Sequence, residues 1–302
     1  MSTESQLRAD IVEVGRRMYA RGYTASNDGN ISARLGSDRL LMTPKSVCKG
    51  FMTPDMMCIT DLEGRKLQGD RDPSSEMLMH LEVYRRRPDV AAVVHAHPPT
   101  ATGFAVAGIP LDRAVLAEVL CTLGSIPIAE YATPSTQELP DAVAKYIKAH
   151  DGMLLANHGA LTVGVDVLGA YYKMETIEHF AKISLVARML GRENLIAREE
   201  VLRLQELRGT YGIKAPAPIC ADDTTAAASD PASCQVVQAP EGGGSRLVAD
   251  SIDRSSPPSL PRKEAGGSYG ATPAADEAAA GEIRLTYREL SELIEDAIRS
   301  LR

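Results

Sequence analysis

Apolar residues recur at helical spacing from the start of the chain. Leu7, Ile11, Val14 and Met18 share one stripe and predict a helix ending near Gly22. Short apolar runs at Leu40–Met42 and Met57–Thr60 predict strands. Ser74 is placed to cap a helix that runs to about Arg87 and stops at Pro88. Val90–His97 reads as a strand, and Ile126–Ala129 as another. Ser135 with Glu138 predicts a capped helix through Val143, Tyr146 and Ile147. Met153–Ala156 reads as a buried strand, Asp166–Leu190 as a long helix, and about 197–208 as a last helix. Helices and strands are intermixed, which predicts an α/β domain with a central sheet covered by helices.

The pattern then breaks. Residues 215–281 are rich in Ala, Pro, Ser, Gly and Asp, with Tyr269 the only aromatic. Such a stretch buries too little surface to offset its ordering entropy and predicts a disordered linker between a domain at 1–214 and a terminal segment at 282–302. In that last segment Leu290, Leu293, Ile294, Ala297, Ile298 and Leu301 return to helical spacing, and Thr286 with Glu289 forms a capping-box signature. A short amphipathic helix on a long tether is expected.

Composition narrows the function. The chain has 302 residues, 44% of them hydrophobic, and a net charge of -7. A globular core is well supplied, and general nucleic-acid binding is disfavoured, because phosphate backbones need a Lys/Arg surface. The N-terminus is not a signal peptide, and no continuous apolar run is long enough to span a bilayer. Five scattered cysteines without a CxxC pair read as reduced thiols. A cytoplasmic protein without membrane partners is expected.

The strongest chemical signal lies at the end of the Val90–His97 strand. Side chains on a strand share a face every second residue, so His95 and His97 project to the same side, within the span of one cation. His158 follows the Met153–Ala156 run and precedes Gly159. Three neutral imidazoles around a divalent ion leave positions open, as catalytic sites do. Imidazole donors favour zinc, with Mn, Fe or Co as substitutes. His80, His150 and His179 lack such a context and are read as structural.

Anion-binding candidates surround this signal. Ser74 and Ser75 stand at a predicted helix start, where free N–H groups and hydroxyls attract phosphate. Glu76 follows, able to ligate an ion or shuttle a proton. Asn27–Asn30 with Ser32, and Thr43–Ser46 including Lys45, read as turns that offer further amides and hydroxyls.

Together, Asp28-Gly-Asn-Ile-Ser32, Leu41-Met-Thr-Pro44, Pro73-Ser-Ser-Glu76, Val93-Val-His-Ala-His97, Tyr131-Ala-Thr133, Asn157-His-Gly159 and Thr210-Tyr-Gly212 resemble, in order and spacing, the class II aldolase/adducin family, and within it the L-fuculose-1-phosphate aldolases. The resemblance covers residues 5 to about 214. It implies a three-layer α/β/α fold around a mostly antiparallel sheet. It also implies one zinc ion per subunit on His95, His97 and His158, and a homotetramer with sites between subunits. By the same resemblance Glu76 is the general acid/base, and Asn30, Ser74 and Ser75 hold a substrate phosphate. Tyr211 reaches a neighbour's site and assists at the aldehyde end.

The implied reaction is retro-aldol cleavage of L-fuculose or L-rhamnulose 1-phosphate to dihydroxyacetone phosphate and lactaldehyde. Two departures stand out. Lys45-Ser46 replaces the Thr-Gly often found in the phosphate loop, and no tyrosine occurs in Ala114–Glu118, where fuculose-phosphate aldolases carry a second one. Decarboxylases and dehydratases of the family share the glutamate and are alternatives. The family's 4-epimerases, which typically have Asp in place of Glu76, are disfavoured, as are adducin-like scaffolds, which lack the histidines. The terminal helix resembles encapsulation peptides of bacterial microcompartment cargo, which implies docking of residues 283–302 on a shell protein.

Overall fold

A computed structural model describes residues 3–210, with 213 and 219. Tyr211, the terminal segment 282–302 and all of the expected linker except Ile219 lie outside the described residues. The sheet has eight strands: β1 (Asn30–Leu35), β2 (Arg39–Met42), β3 (Cys58–Asp61), β4 (Lys66–Gln68), β5 (Ala92–Ala96), β6 (Ile128–Ala129), β7 (Gly152–Leu155) and β8 (Gly159–Gly164). Their order is β4-β3-β2-β1-β5-β8-β7-β6, antiparallel throughout except for the parallel β6–β7 pair.

Strand alternation sends side chains into two separate apolar layers. Ile31, Ala33 and Leu35 of β1 and Ala92, Val94 and Ala96 of β5 face one layer. That layer is covered by α1 (Glu4–Ala20), α3 (Pro99–Ala107) and α6 (Val167–Met189). Val93 of β5, Met153 and Leu155 of β7, and Leu161 and Val163 of β8 face the other, under α2 (Met77–Arg86) and α5 (Glu138–Ala144). Two helices, α4 (Ala117–Thr122) and α7 (Arg198–Thr210), pack on each other around Leu120 and Val201. Ile219, beyond the expected domain boundary, packs against the same cluster. Helix, sheet and helix thus form three layers, and burial of both sheet faces is the main source of stability.

Several expected elements shift. The residues after Ser74 do not start a helix at once: α2 begins at Met77, with Glu76 in the cap position. The cause is pairing with the neighbouring loop. Pro73 bridges Pro44, the Ser74 amide donates to the Thr43 carbonyl and the Lys45 amide to that of Asp72. This holds the backbone out of the helix at Pro73 and Ser74, and a turn through Ser75 and Glu76 then leads into α2. Ser135 caps nothing; its φ of 65° lies in the left-handed region. The Thr136 hydroxyl instead accepts from the Glu138 amide, and the Glu138 carboxylate from the Thr133 amide. The helix there ends at Ala144, and Tyr146 and Ile147 are buried in the turns that follow. Strands β1, β4 and β8 and helices α3 and α4 were not expected.

Two imidazoles outside the expected ligand set are almost fully inaccessible. His80 on α2 and His150 before β7 are each about 1% exposed, and burial pushes both down to about 4. The unfolded chain therefore binds more protons between pH 4 and 6.5, so stability is lost as pH falls through that window. For His150, whose Nδ1 faces the Ser125 carbonyl, the loss at pH 5 is expected to be about 2 kcal/mol relative to pH 8. Urea unfolding of the wild type and of His150→Gln at both pH values checks this. The variant should show a smaller acid loss, and an identical one would contradict the assignment.

Candidate metal centre and active-site cavity

His95 lies on the same face of β5 as Val93, toward α2. Its Nδ1 is 2.9 Å from the Ala160 carbonyl on β8. A carbonyl only accepts, so Nδ1 carries the proton and Nε2 presents a bare lone pair. His97 follows β5 directly, and its amide donates to the Tyr23 carbonyl. His158 stands in the turn between β7 and β8, after Asn157 with a φ of 54°. Gly159 is needed there, since a Cβ would lie 2.5 Å from the Ala96 carbonyl oxygen and 2.6 Å from the His97 ring. Gly29, with a φ of 72°, is similar: a Cβ there would lie 2.9 Å from the His95 carbonyl oxygen.

The three imidazoles can each offer a nitrogen within 4.8 Å of the others. Nε2 of His97 is 3.1 Å from the unprotonated Nε2 of His95, and a Glu76 oxygen is 3.4 Å from the same His95 atom. The other Glu76 oxygen is 3.1 Å from His158 Nε2. Lone pairs and a carboxylate converging on one point fit a divalent cation, and the donor set suits zinc. Burial pushes His95 and His97 below the ordinary imidazole range, which keeps them neutral and ready to ligate. Burial alone would raise Glu76, but the approach of His158 and the hydrogen of the Asn30 amide hold it below the usual carboxylate range.

A cavity of about 280 Å³ opens beside this cluster. Its lining includes Glu76, His97 and His158 together with Asn30, Lys45, Ser46, Ser74 and Ser75. Every expected site residue among the described ones therefore lines the cavity or the metal cluster. Asn30 departs from its expected part in one respect. Its Nδ2 donates to Glu76 at 2.7 Å and its Oδ1 faces His80 Nε2 at 2.5 Å, so much of the amide is committed inside the protein.

Three contributors were not expected. Asp28 Oδ2 is 3.6 Å from His97 Nδ1 and orients that ring. Lys49, 2% exposed, reaches the cavity wall with Nζ donating to the Asn27 and Val47 carbonyls. Burial pushes its ammonium down to about 8. His80 supports Asn30, and a signal for it was present: Glu76 and His80 are four residues apart, one turn on a single helix face.

An eight-stranded, mostly antiparallel sheet carrying a histidine triad, a largely buried glutamate and a polar cavity is the architecture of an α/β enzyme with a candidate metal site. Residues 9–185 match the Class II Aldolase and Adducin N-terminal domain family, and the chain belongs to it. The 3-oxo-tetronate 4-phosphate decarboxylase of Pectobacterium atrosepticum is 31% identical over 62% of this chain and 87% of its own. The L-fuculose phosphate aldolase of Methanococcus maripaludis is 32% identical over 60% of this chain and 97% of its own. The crystal structure of the L-fuculose-1-phosphate aldolase from Thermus thermophilus superposes with a TM-score of 0.56 at 32% identity, covering 63% of this chain and 99% of that one. No helix among the described residues is long and apolar enough to cross a membrane.

Proposed function

We propose that this protein is a zinc-dependent aldolase that cleaves a deoxyketose 1-phosphate, L-fuculose or L-rhamnulose 1-phosphate, to dihydroxyacetone phosphate and lactaldehyde. The observation that carries the reading is the meeting of His95, His97, His158 and Glu76 beside a cavity whose lining also offers phosphate donors. His95, His97 and His158 would hold the zinc ion, which when bound supplies Lewis-acid polarisation of the substrate carbonyl. Ser46, Ser74 and Ser75 offer hydroxyls to the phosphate, and Lys45 adds a charge. Asn30, through the amide hydrogen not given to Glu76, is a further donor. The carbon–carbon bond breaks as the hydroxyl proton of the departing aldehyde passes, by way of solvent, to the Glu76 carboxylate, which then delivers a proton to the carbon left behind. Tyr211 of a neighbouring subunit in a homotetramer is proposed to assist at the aldehyde end.

The metal-loaded protein should release dihydroxyacetone phosphate from one of the two sugar phosphates in a coupled assay. Absence of release from both would overturn the aldolase reading. A second reading is favoured by the likeness to the decarboxylase and by the missing tyrosine at Ala114–Glu118. Release of carbon dioxide from a 3-oxo-tetronate 4-phosphate in its place would establish it. Residues 283–302 are further proposed to dock on a bacterial microcompartment shell through Leu290, Leu293, Ile294, Ala297, Ile298 and Leu301. A reporter fused to them should become encapsulated in cells making shells, and a diffuse reporter would sink that part.

A further inference from the structure

A line of buried polar side chains runs through the layer between α2 and the sheet and ends on Glu76. The Tyr84 hydroxyl is 2.9 Å from Ser32 Oγ, and Ser32 Oγ is 2.7 Å from His80 Nδ1. His80 Nε2 is 2.5 Å from Asn30 Oδ1, and Asn30 Nδ2 is 2.7 Å from Glu76 Oε2. Ser32, His80, Asn30 and Tyr84 are all at most 3% exposed. The line follows from two matched periods. Glu76, His80 and Tyr84 recur every four residues along α2, a rise of about 6 Å per step. Asn30 and Ser32 recur every two residues along β1, a rise of about 6.6 Å. The two stripes are nearly commensurate, so helix and strand side chains interleave in strict alternation.

The direction of every bond follows from the last one. An ionised carboxylate only accepts, so Asn30 must turn its NH₂ toward Glu76 and its carbonyl oxygen toward His80. That oxygen only accepts, so His80 Nε2 carries the hydrogen. In a neutral ring Nδ1 is then a bare acceptor, so Ser32 must donate to it. With its one hydrogen used, Ser32 accepts from the Tyr84 hydroxyl. Donors point one way, from Tyr84 through Ser32, His80 and Asn30 to Glu76 Oε2. The other carboxylate oxygen, Oε1, has no hydrogen-bond partner and lies 3.1 Å from His158 Nε2.

We infer that Tyr84, Ser32 and His80 are positioning residues that, through Asn30, tie down one oxygen of Glu76 and aim the other at the metal cluster and the cavity. The value of this arrangement for turnover rests on the reading of Glu76 as the acid/base group. Because the path includes a carboxamide, which does not give up a proton near neutral pH, the line orients Glu76 and does not conduct protons to it.

The full-length, zinc-loaded protein labelled with ¹⁵N at its six histidines tests the bond directions without reference to activity. One imidazole, absent from the His80→Gln spectrum, should be the Nε2–H tautomer and stay so from pH 8 to about 5.5. An Nδ1–H tautomer or an imidazolium there would overturn the inference. In kinetics, His80→Leu should lower kcat about 10- to 100-fold with KM changed less than about threefold, as loss of an outer-shell partner does. His80→Gln, which retains an N–H near the same place, should recover much of the loss. Tyr84→Phe, which keeps the packing volume, should lower kcat by a smaller factor in the same KM-neutral way. A kcat unchanged in both His80→Leu and Tyr84→Phe, or a glutamine variant no better than leucine, would refute positioning. If the wild type proves inactive on ketose 1-phosphates, the aldolase reading fails, and the tautomer result alone judges the line.

Discussion

Replacing Glu76 by glutamine is expected to lower kcat about 10²- to 10⁴-fold while the protein remains folded and still takes up zinc. Glutamine fills the same volume and can still accept the hydrogen bond from Asn30, so α2 and the layer under it lose no packing. What is lost is an ionisable group beside the two histidines, His95 and His158, that the carboxylate now approaches within 3.4 and 3.1 Å. The effect should therefore fall on kcat far more than on KM. Steady-state kinetics on the best of the two ketose phosphates, with zinc content measured on the same sample, checks it. A variant with wild-type kcat would remove Glu76 from the chemistry.

Removing the metal is expected to have an effect of similar size. Dialysis against a strong chelator should lower turnover on the order of 10³-fold, and added zinc should restore it. His95→Ala should be comparably inactive and should not respond to added zinc. His95 is fully buried, with one ring nitrogen used by the Ala160 carbonyl, so no exposed side chain can take its place. The fold should survive chelation, because both apolar layers form without the cluster. Circular dichroism of the metal-free protein tests that. Full activity after verified metal loss would exclude a role for the cluster in catalysis.

The metal cluster was legible in sequence because strand periodicity is a strict rule: His95 and His97 must share a face, and the apolar run before His158 marks a strand end. Longer elements were legible for a similar reason. The stripe of Leu7, Ile11, Val14 and Met18 makes α1, and Asp166 caps α6 with its side chain accepting from the Gly169 amide. Less regular signals failed. In β1 the polar members Asn30, Ser32 and Arg34 lie buried or nearly so, which made the strand resemble a turn; their partners are Glu76, α2 residues and Val90, far away in sequence. Helix α3 follows directly on Pro98-Pro99, a pair that interrupts local periodicity, although Pro99 suits a first helical position. The extended backbone at Ser74 depends on pairing with Thr43 and Pro44, which local propensity does not report. His80 was read as structural because it lacks the strand-end context of the other three; its part shows only once β1 lies beneath α2.

The buried ligand His95 and the cavity rim rest on different kinds of backbone. His95 belongs to a central strand bonded on both sides, by β1 and β8. Lys45, Ser46, Pro134 and Ser135 line the cavity from loops. Substitutions in those loops can therefore alter which molecules fit while leaving the cation-binding geometry intact. A scaffold divided in this way is evolvable: new specificities are reachable by single steps that pass through folded, metal-competent intermediates.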